Sequence, residues 1–375
     1  MLKPRVLHLI HHLHVGGAEV LVADLLPALA QRGFDAQVAC LVERGPLFAS
    51  LERAGIPAHF IGRRPGRDLA AVWRLARLLR RLDVAVLNTH SFSAGFWGRW
   101  AALLARTPRV VTTVHTVAGW SQPRKQRLGN RLLRPVTDRI VAVSGCVRDS
   151  LIACGGTPPA LITVIPNGIR LERFAPCADR AAERRRLGLP PERFLVGMVA
   201  RCSPEKGGPF WIEALRALAA TDGNVHGVLV GDGPARSAWQ DLATVRGLAE
   251  RIAFVGARMD VPRWLAVCDV LVCPSLQESF GITALEAQAA GVPVVATHVD
   301  GFRENLHDGV DALLVPVADA HALADAVRQV RRSPELGRCL ADAGRRNAAR
   351  FALASTADQY AALYRELLGL PGGSQ

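Results

Sequence analysis

Residues 270–296 read Val270-Leu-Val-Cys-Pro-Ser-Leu-Gln-Glu278-Ser-Phe-Gly-Ile-Thr-Ala-Leu-Glu286-Ala-Gln-Ala-Ala-Gly291-Val-Pro293-Val-Val-Ala296, and the order of their parts decides the fold. Val270–Cys273 is a short apolar run with no polar face, which suits a strand buried on both sides. Ser279-Phe280-Gly281 turns the chain into a helix of about ten residues, which Gly291 and Pro293 end. A second apolar run, Val292–Ala296, follows. Strand, helix, strand at this spacing is the repeating unit of a parallel sheet. Glu278 falls in the loop at the carboxyl end of the first strand, and Glu286 lies about a turn and a half into the helix.

The same alternation fills the chain outward from this stretch. Earlier strands are expected at Val6–Ile10, Gln37–Val42, Ala58–Ile61, Val84–Asn88, Val110–His115, Ile140–Ser144 and Leu161–Ile165. Helices are expected at Gly17–Arg32, 68–81 and 93–105. From Ile169 the chain turns polar and broken, with Pro176, the charged patch Arg180–Arg186 and Pro190-Pro191, so residues 171–192 are expected as a linker. A second series opens with Phe194–Ala200 and continues through Val225–Val230, Ile252–Val255 and Ala312–Val315. Helices near 319–331, 334–350 and 353–369 finish the chain. The 375 residues exceed one typical hydrophobic core. The expected fold class is α/β: two doubly wound, Rossmann-like parallel-sheet domains, 1–170 and 193–352, facing across a cleft.

Composition narrows the function. Half of the residues are hydrophobic, which argues against disorder. No run approaches the roughly 18 apolar residues that span a bilayer. The N-terminal apolar segment is too short for a signal peptide. Eight cysteines without a Cys-x-x-Cys pair read as free buried thiols of a reducing compartment, so a cytoplasmic enzyme is expected. The net charge of +13 is uneven: residues 1–175 hold 24 Lys and Arg against 10 Asp and Glu, the remainder 22 against 23. The first half should therefore face something anionic. Asp68–Arg81 reads as a helix with Leu69, Val72, Trp73, Ala76 and Leu79 on an apolar stripe flanked by Arg74, Arg77, Arg80 and Arg81. Arg124–Arg134 repeats the pattern, with Arg124, Arg127, Arg131 and Arg134 opposite Leu128 and Leu132. A solvated face and contact with an anionic membrane surface, at its inner side, account for these helices equally well. Nucleic acid is not expected, because no aromatic stacking set accompanies the charge.

The candidate chemistry gathers at loops after strands. Arg201 and Lys206, in Arg-Cys-Ser-Pro-Glu-Lys-Gly, follow Phe194–Ala200 and open a helix near Gly207. Only three lysines accompany 43 arginines, so Lys206 marks a place suited to a compact ammonium. Two cations and a helix N-terminus suit a diphosphate, which carries about two negative charges. A carboxylate at Glu286 suits a ribose diol, and Glu278 suits hexose hydroxyls. Together they suggest a nucleotide-sugar site. Gly16-Gly17 follows the first strand and lets backbone approach a ligand, although it lacks the spacing of a dinucleotide fingerprint. His90 and His115 end their strands and are expected at the cleft rim. His11, His12 and His14 crowd the first loop, but without a carboxylate or cysteine partner at suitable spacing no metal site is expected there. Nor is there an Asp-x-Asp to hold a divalent ion on a diphosphate, so metal-free chemistry is expected. Gly231-Asp232-Gly233-Pro234 and Asn167-Gly168 read as structural turns.

Taken in order, these motifs resemble the family 4 retaining glycosyltransferases of the GT-B fold: Gly-Gly-Ala-Glu at 16–19, Asn-Thr-His-Ser at 88–91, Val-His at 114–115, Val-Ser at 143–144, Ile-Pro-Asn-Gly at 165–168, Arg-x4-Lys-Gly from Arg201, Gly-Asp-Gly-Pro from Gly231, and Glu278-x7-Glu286. The resemblance implies that Arg201 and Lys206 hold the donor diphosphate, Glu286 the ribose, and Glu278 with the amides of Phe280, Gly281 and Ile282 the sugar. It implies that Gly16 and Gly17 border phosphate and acceptor, that His115 lies beside the transferred sugar, and that His90 serves the acceptor side. It also places 353–375 on the first domain. The implied reaction moves a hexose from a nucleoside diphosphate sugar to a glycan or lipid-linked acceptor, with no cofactor. The residue after His115 is threonine where many members have aspartate. A nucleotide-sugar epimerase on the same architecture is the alternative, and a basic membrane-binding or nucleic-acid-binding module without enzymatic activity is a third.

Overall fold

The computed structural model describes residues 3–66, 68–117, 124–175 and 177–371. The chain divides into two compact units. One runs to Gly168 and resumes at Leu353; the other spans Ile169–Ala352.

In the first unit seven strands form one parallel sheet: β1 Arg5–His12, β2 Asp35–Glu43, β3 Ala58–Phe60, β4 Val86–His90, β5 Arg109–Val114, β6 Arg139–Ala142 and β7 Ile162–Val164. Their order is β3-β2-β1-β4-β5-β6-β7. The second unit holds β8 Phe194–Val199, β9 Val225–Val230, β10 Ile252–Gly256, β11 Val270–Cys273, β12 Val294–Thr297 and β13 Leu313–Val315, in the order β10-β9-β8-β11-β12-β13. Both sheets are doubly wound, and strand order reverses at β1/β4 and at β8/β11. Ligands of such sheets collect beyond the carboxyl ends of the strands at that reversal.

Side-chain alternation explains the apolar strands. Val6 and Ile10 of β1 face a core shared with Val38, Val86, Val111 and the helices Gly17–Gln31 and Leu353–Leu368. Leu7 and Leu9 face the opposite core, against Leu75 and Leu79 of the helix Leu69–Arg81. In the second unit Val196 and Met198 face one core while Leu195 and Leu271 face the other. With both faces covered, neither sheet leaves room for a polar face. Helix starts carry the expected caps: Asp68, Ser144, Asp179, Asp319 and Ser333 each accept from the N–H three residues on.

Several expectations are corrected. Residues 171–192 are no linker: they belong to the second unit and carry the helix Arg180–Arg186. Buried Arg184 fastens this segment, donating to the carbonyls of Val267, Pro191 and Arg193 and to Asp269 Oδ2 at 2.8 Å. A charged run read as part of a linker is thus an anchor. The strand placed at 84–88 lies two residues later, at Val86–His90, and His90 ends it as expected. The helix Gly45–Arg53 had not been anticipated. On the helix Leu69–Arg81 the buried stripe is Ala71, Val72, Leu75, Ala76, Leu78 and Leu79, while Leu69 and Trp73 are 69% and 60% exposed. Leu128 and Leu132 are exposed as well. Arg124 and Arg127 lie where side chains are outside the described residues. Of the eight cysteines, Cys40, Cys202, Cys268 and Cys273 are buried, whereas Cys154 and Cys339 are exposed.

Replacing Arg184 by alanine leaves Asp269 without its closest cation and three carbonyls without a donor, and should destabilise the protein by about 3 kcal/mol. Urea unfolding checks this; a loss below about 0.5 kcal/mol would show the segment to be a passive connection.

Candidate functional site

The loops after β8 and β11 leave neighbouring strands, and the structure ties them together. Lys206 ends the turn Pro204–Lys206, and the ammonium lies 2.7 Å from Glu278 Oε2. Leu276 N–H donates to the Glu205 carbonyl at 2.8 Å, a backbone link between the same loops. Gly207 has φ +69°, and a Cβ there would sit 1.9 Å from the Pro274 carbonyl oxygen, so only glycine fits. Glu278 Oε1 accepts from Ser279 N–H at 3.1 Å. The Lys206 and Glu278 side chains are 23% and 17% exposed, partly shielded yet reachable.

Beyond Glu278 the chain passes through Gly281, in the left-handed region at φ +86°, into the helix Ile282–Ala289. No side chain caps that helix start, so its first N–H groups are directed outward with the positive end of the helix dipole. Phe280 is buried and packs edge-on against Phe351 at 5.7 Å, leaving its backbone rather than its ring for a ligand. Asn305 Nδ2 donates to the Phe280 carbonyl at 2.5 Å, holding the turn. Glu286 is half-buried on the helix.

Arg201 behaves differently from Lys206. Its guanidinium is 69% exposed and donates to Glu205 Oε1 at 2.8 Å, an oxygen that also accepts from Ser203 Oγ at 2.6 Å. Glu205 is a site residue that sequence reasoning missed; its position four residues after Arg201 was the available signal.

In the first unit the loop after β1 bears Gly16 and Gly17. Gly16 is extended backbone, and a Cβ there would meet the Glu19 carboxylate at 2.4 Å. The histidines around this loop have carboxylates nearby after all: His14 Nε2 contacts Glu43 Oε2 at 2.5 Å, and His12 Nδ1 lies 3.6 Å from Glu19. Pairing of β1 with β2 brings Glu43 alongside, which spacing in the sequence does not reveal. Among the described residues no group of three or more His, Cys, Asp or Glu is placed to hold a metal.

His90 and His115 come together, with a third ring. His90 Nδ1 lies 3.0 Å from His115 Nε2, and His90 Nε2 lies 2.9 Å from His8 Nδ1. His90 is 1% exposed with both ring nitrogens engaged, so the acceptor-side contact expected of it is not available to its side chain. Burial pushes His8 down to about 3 and His115 to about 4; it also holds His90 well below the usual value, helped by the neighbouring rings. All three are neutral imidazoles at physiological pH.

The second sheet with its flanking helices, residues 193–333, matches the family described as Glycosyl transferases group 1, and residues 15–173 match Glycosyltransferase Family 4. The chain is 30% identical over 347 residues to D-inositol 3-phosphate glycosyltransferase of Saccharomonospora viridis, covering 87% of this chain and 79% of that one. The chain belongs to the group 1, family 4 glycosyltransferases. This glycosyltransferase is also 31% identical to UDP-Gal:alpha-D-GlcNAc-diphosphoundecaprenol alpha-1,3-galactosyltransferase of Escherichia coli, over 70% of each chain. Its fold matches that of Anabaena HepE in complex with UDP and glucose, with a TM-score of 0.85 at 24% identity over 97% of this chain and 99% of that one. Membership sets aside the epimerase alternative and the non-enzymatic one.

Buried His8 and His90 and partly buried His115 set a pH dependence for the glycosyltransferase. Their folded values lie below the 6.5 of an exposed histidine, so below about pH 6.5 the unfolded chain binds protons that the folded one refuses. Their contribution is complete above that pH and is lost as pH falls toward 4. Urea midpoints should drop steadily from pH 7 to pH 4; a flat profile would contradict the burial of these rings.

Proposed function

We propose that the enzyme transfers a hexose from a nucleoside diphosphate sugar to an acceptor hydroxyl with retention at the anomeric carbon, without a metal, in the synthesis of a polysaccharide, lipopolysaccharide or glycolipid. The observation that carries this reading is the 2.7 Å pair of Lys206 and Glu278 at the reversal of strand order, beside an uncapped helix start. In the free enzyme each charge satisfies the other. A diphosphate, with about two negative charges, competes for the ammonium and for the N–H groups of that helix, and releases Glu278 to accept from sugar hydroxyls. Arg201, exposed and held by Glu205, swings to the same anion. Glu286 holds the ribose, and the backbone of Phe280, Gly281 and Ile282 approaches the sugar. Gly16, Gly17 and His115 serve the acceptor and the transferred sugar.

In the chemical step the acceptor oxygen bonds to the anomeric carbon as the bond from that carbon to the phosphate oxygen breaks. The departing diphosphate leaves on the same face and takes the hydroxyl proton. Lys206, Arg201 and the helix N-terminus stabilise the charge that develops on it. The complex of HepE with UDP and the UDP-sugar donor of the Escherichia coli relative support a uridine nucleotide as the first donor to test.

The acceptor is proposed to be lipid-linked or an anionic glycan, and the enzyme to work at the cytoplasmic face of a membrane. Among the described residues no helix is long and apolar enough to cross one. The helix Leu69–Arg81 instead exposes Leu69 and Trp73 beside Arg77, Arg80 and Arg81, a composition suited to an anionic lipid surface.

Lys206→Ala should lower kcat/KM by about 10²-fold or more, the scale of losing one preorganised charge partner. Turnover with UDP-hexoses as donors measures it, and wild-type turnover would refute the assignment. Trp73→Glu should weaken co-sedimentation with phosphatidylglycerol vesicles while leaving donor binding intact; equal sedimentation would remove this helix from the membrane proposal.

A further inference from the structure

The first unit contains a hydrogen-bonded chain that the proposed reaction leaves unexplained. It begins at Tyr360 OH, 3.2 Å from Thr113 Oγ1, which donates to Asn88 Oδ1 at 3.0 Å. Asn88 Nδ2 donates to Tyr364 OH at 2.8 Å, and Tyr364 OH lies 3.2 Å from His8 Nε2. His8 passes to His90 and His90 to His115 through the contacts already given, the rings stacking at 5.1 and 5.3 Å between centroids. Every member before His115 is at most 1% exposed. At the far end, His115 Nδ1 is buried and has no partner among the described residues.

The protons in such a chain run one way. A neutral imidazole has one N–H and one bare nitrogen, and a hydroxyl has one proton to give. If Tyr360 donates to Thr113, Thr113 donates to Asn88 and the Asn88 amide donates to Tyr364. The Tyr364 proton then has one remaining partner, His8 Nε2. His8 must donate from Nδ1 to His90 Nε2, and His90 from Nδ1 to His115 Nε2. The last proton emerges on His115 Nδ1. In the opposite order the Tyr360 hydroxyl proton is stranded in the core without an acceptor, and His115 Nδ1 is bare. Among the described residues, only the first order, with an oxygen accepting at His115 Nδ1, gives every hydroxyl and ring N–H of the chain an acceptor.

We infer that this chain fixes His115 as the Nδ1–H tautomer, a standing hydrogen-bond donor to a substrate oxygen, with His8, His90, Asn88 and Tyr364 acting as positioning residues. The ligand chemistry is that of an uncharged or anionic oxygen acceptor: a hydroxyl, carbonyl or phosphoryl oxygen. That this oxygen belongs to a sugar donor or its acceptor rests on the proposed function; the tautomer does not. The arrangement gives His115 a donor role and denies it that of a general base, because the nitrogen outside the chain already carries the proton. It also accounts for two polar tyrosines on the helix Leu353–Leu368 facing a sheet that is otherwise aliphatic.

The test is ¹⁵N NMR of the histidine ring nitrogens in the full chain at neutral pH without substrate. The expected result is a protonated Nδ1 and a bare Nε2 at His8, His90 and His115. A protonated Nε2 at His115, or a charged ring, would overturn the inference. His8→Phe keeps a ring but cuts the chain between Tyr364 and His90, and should let His90 and His115 populate both tautomers. A single unchanged tautomer at His115 in that variant would overturn the positioning role, and the wild-type spectrum decides the tautomer even where the variant fails to fold. Thermal shifts with UDP and GDP report on the proposed function separately, so failure of either reading is distinguishable from failure of the other.

Discussion

The site depends on one contact between two loops, the ammonium of Lys206 against the carboxylate of Glu278 at 2.7 Å. Strand order puts it there. β8 and β11 are neighbours only because the sheet winds first one way and then the other, and each loop leaves the carboxyl end of its strand. The backbone bond from Leu276 to Glu205 and the absence of a side chain at Gly207 hold the loops in register. On the other side, a Cβ at Gly301 would sit 2.4 Å from the Glu278 carbonyl oxygen, so a neighbouring helix presses on the same turn. Partly shielded from solvent, the pair is neither a structural anchor nor a surface decoration. It is stable enough to preorganise both charges and exposed enough to exchange partners with an anion.

Much of this was legible in the sequence, for physical reasons. Strands covered on both faces are mostly apolar, and helices between them need caps and glycine stops, so alternation and sheet type could be read directly. Glu278, Lys206 and Gly281 stood out because polar residues and glycines at the carboxyl end of a strand are not what packing alone would place there. What escaped was whatever depends on contacts far apart in sequence. Arg184 looked like part of a linker because it is held by the carbonyl of Val267, 83 residues away, and by those of Pro191 and Arg193, and backbone acceptors carry no sequence signature. His90 looked like a rim residue because the rings on either side, His8 and His115, come from strands that only sheet topology makes neighbours. Glu43 beside His14 was hidden for the same reason. Amphipathic pattern also misplaced Trp73, since an apolar residue on a helix flank fits the stripe as well as one at its centre.

The candidate groups differ in character between the two units. The second supplies charge: a lysine, an arginine, two glutamates and a helix start. The first carries His115, whose titration burial pushes down to about 4.

The central claim is that Lys206 and Glu278 act on the same substrate as a coupled pair. A double-mutant cycle tests it most directly, with kcat/KM for UDP-hexose turnover measured in the wild type, Lys206→Met, Glu278→Gln and the double variant. The account predicts a coupling of about 1 kcal/mol or more, because each residue orients the other before substrate arrives. Strictly additive losses would mean that the two side chains act independently, and would contradict it.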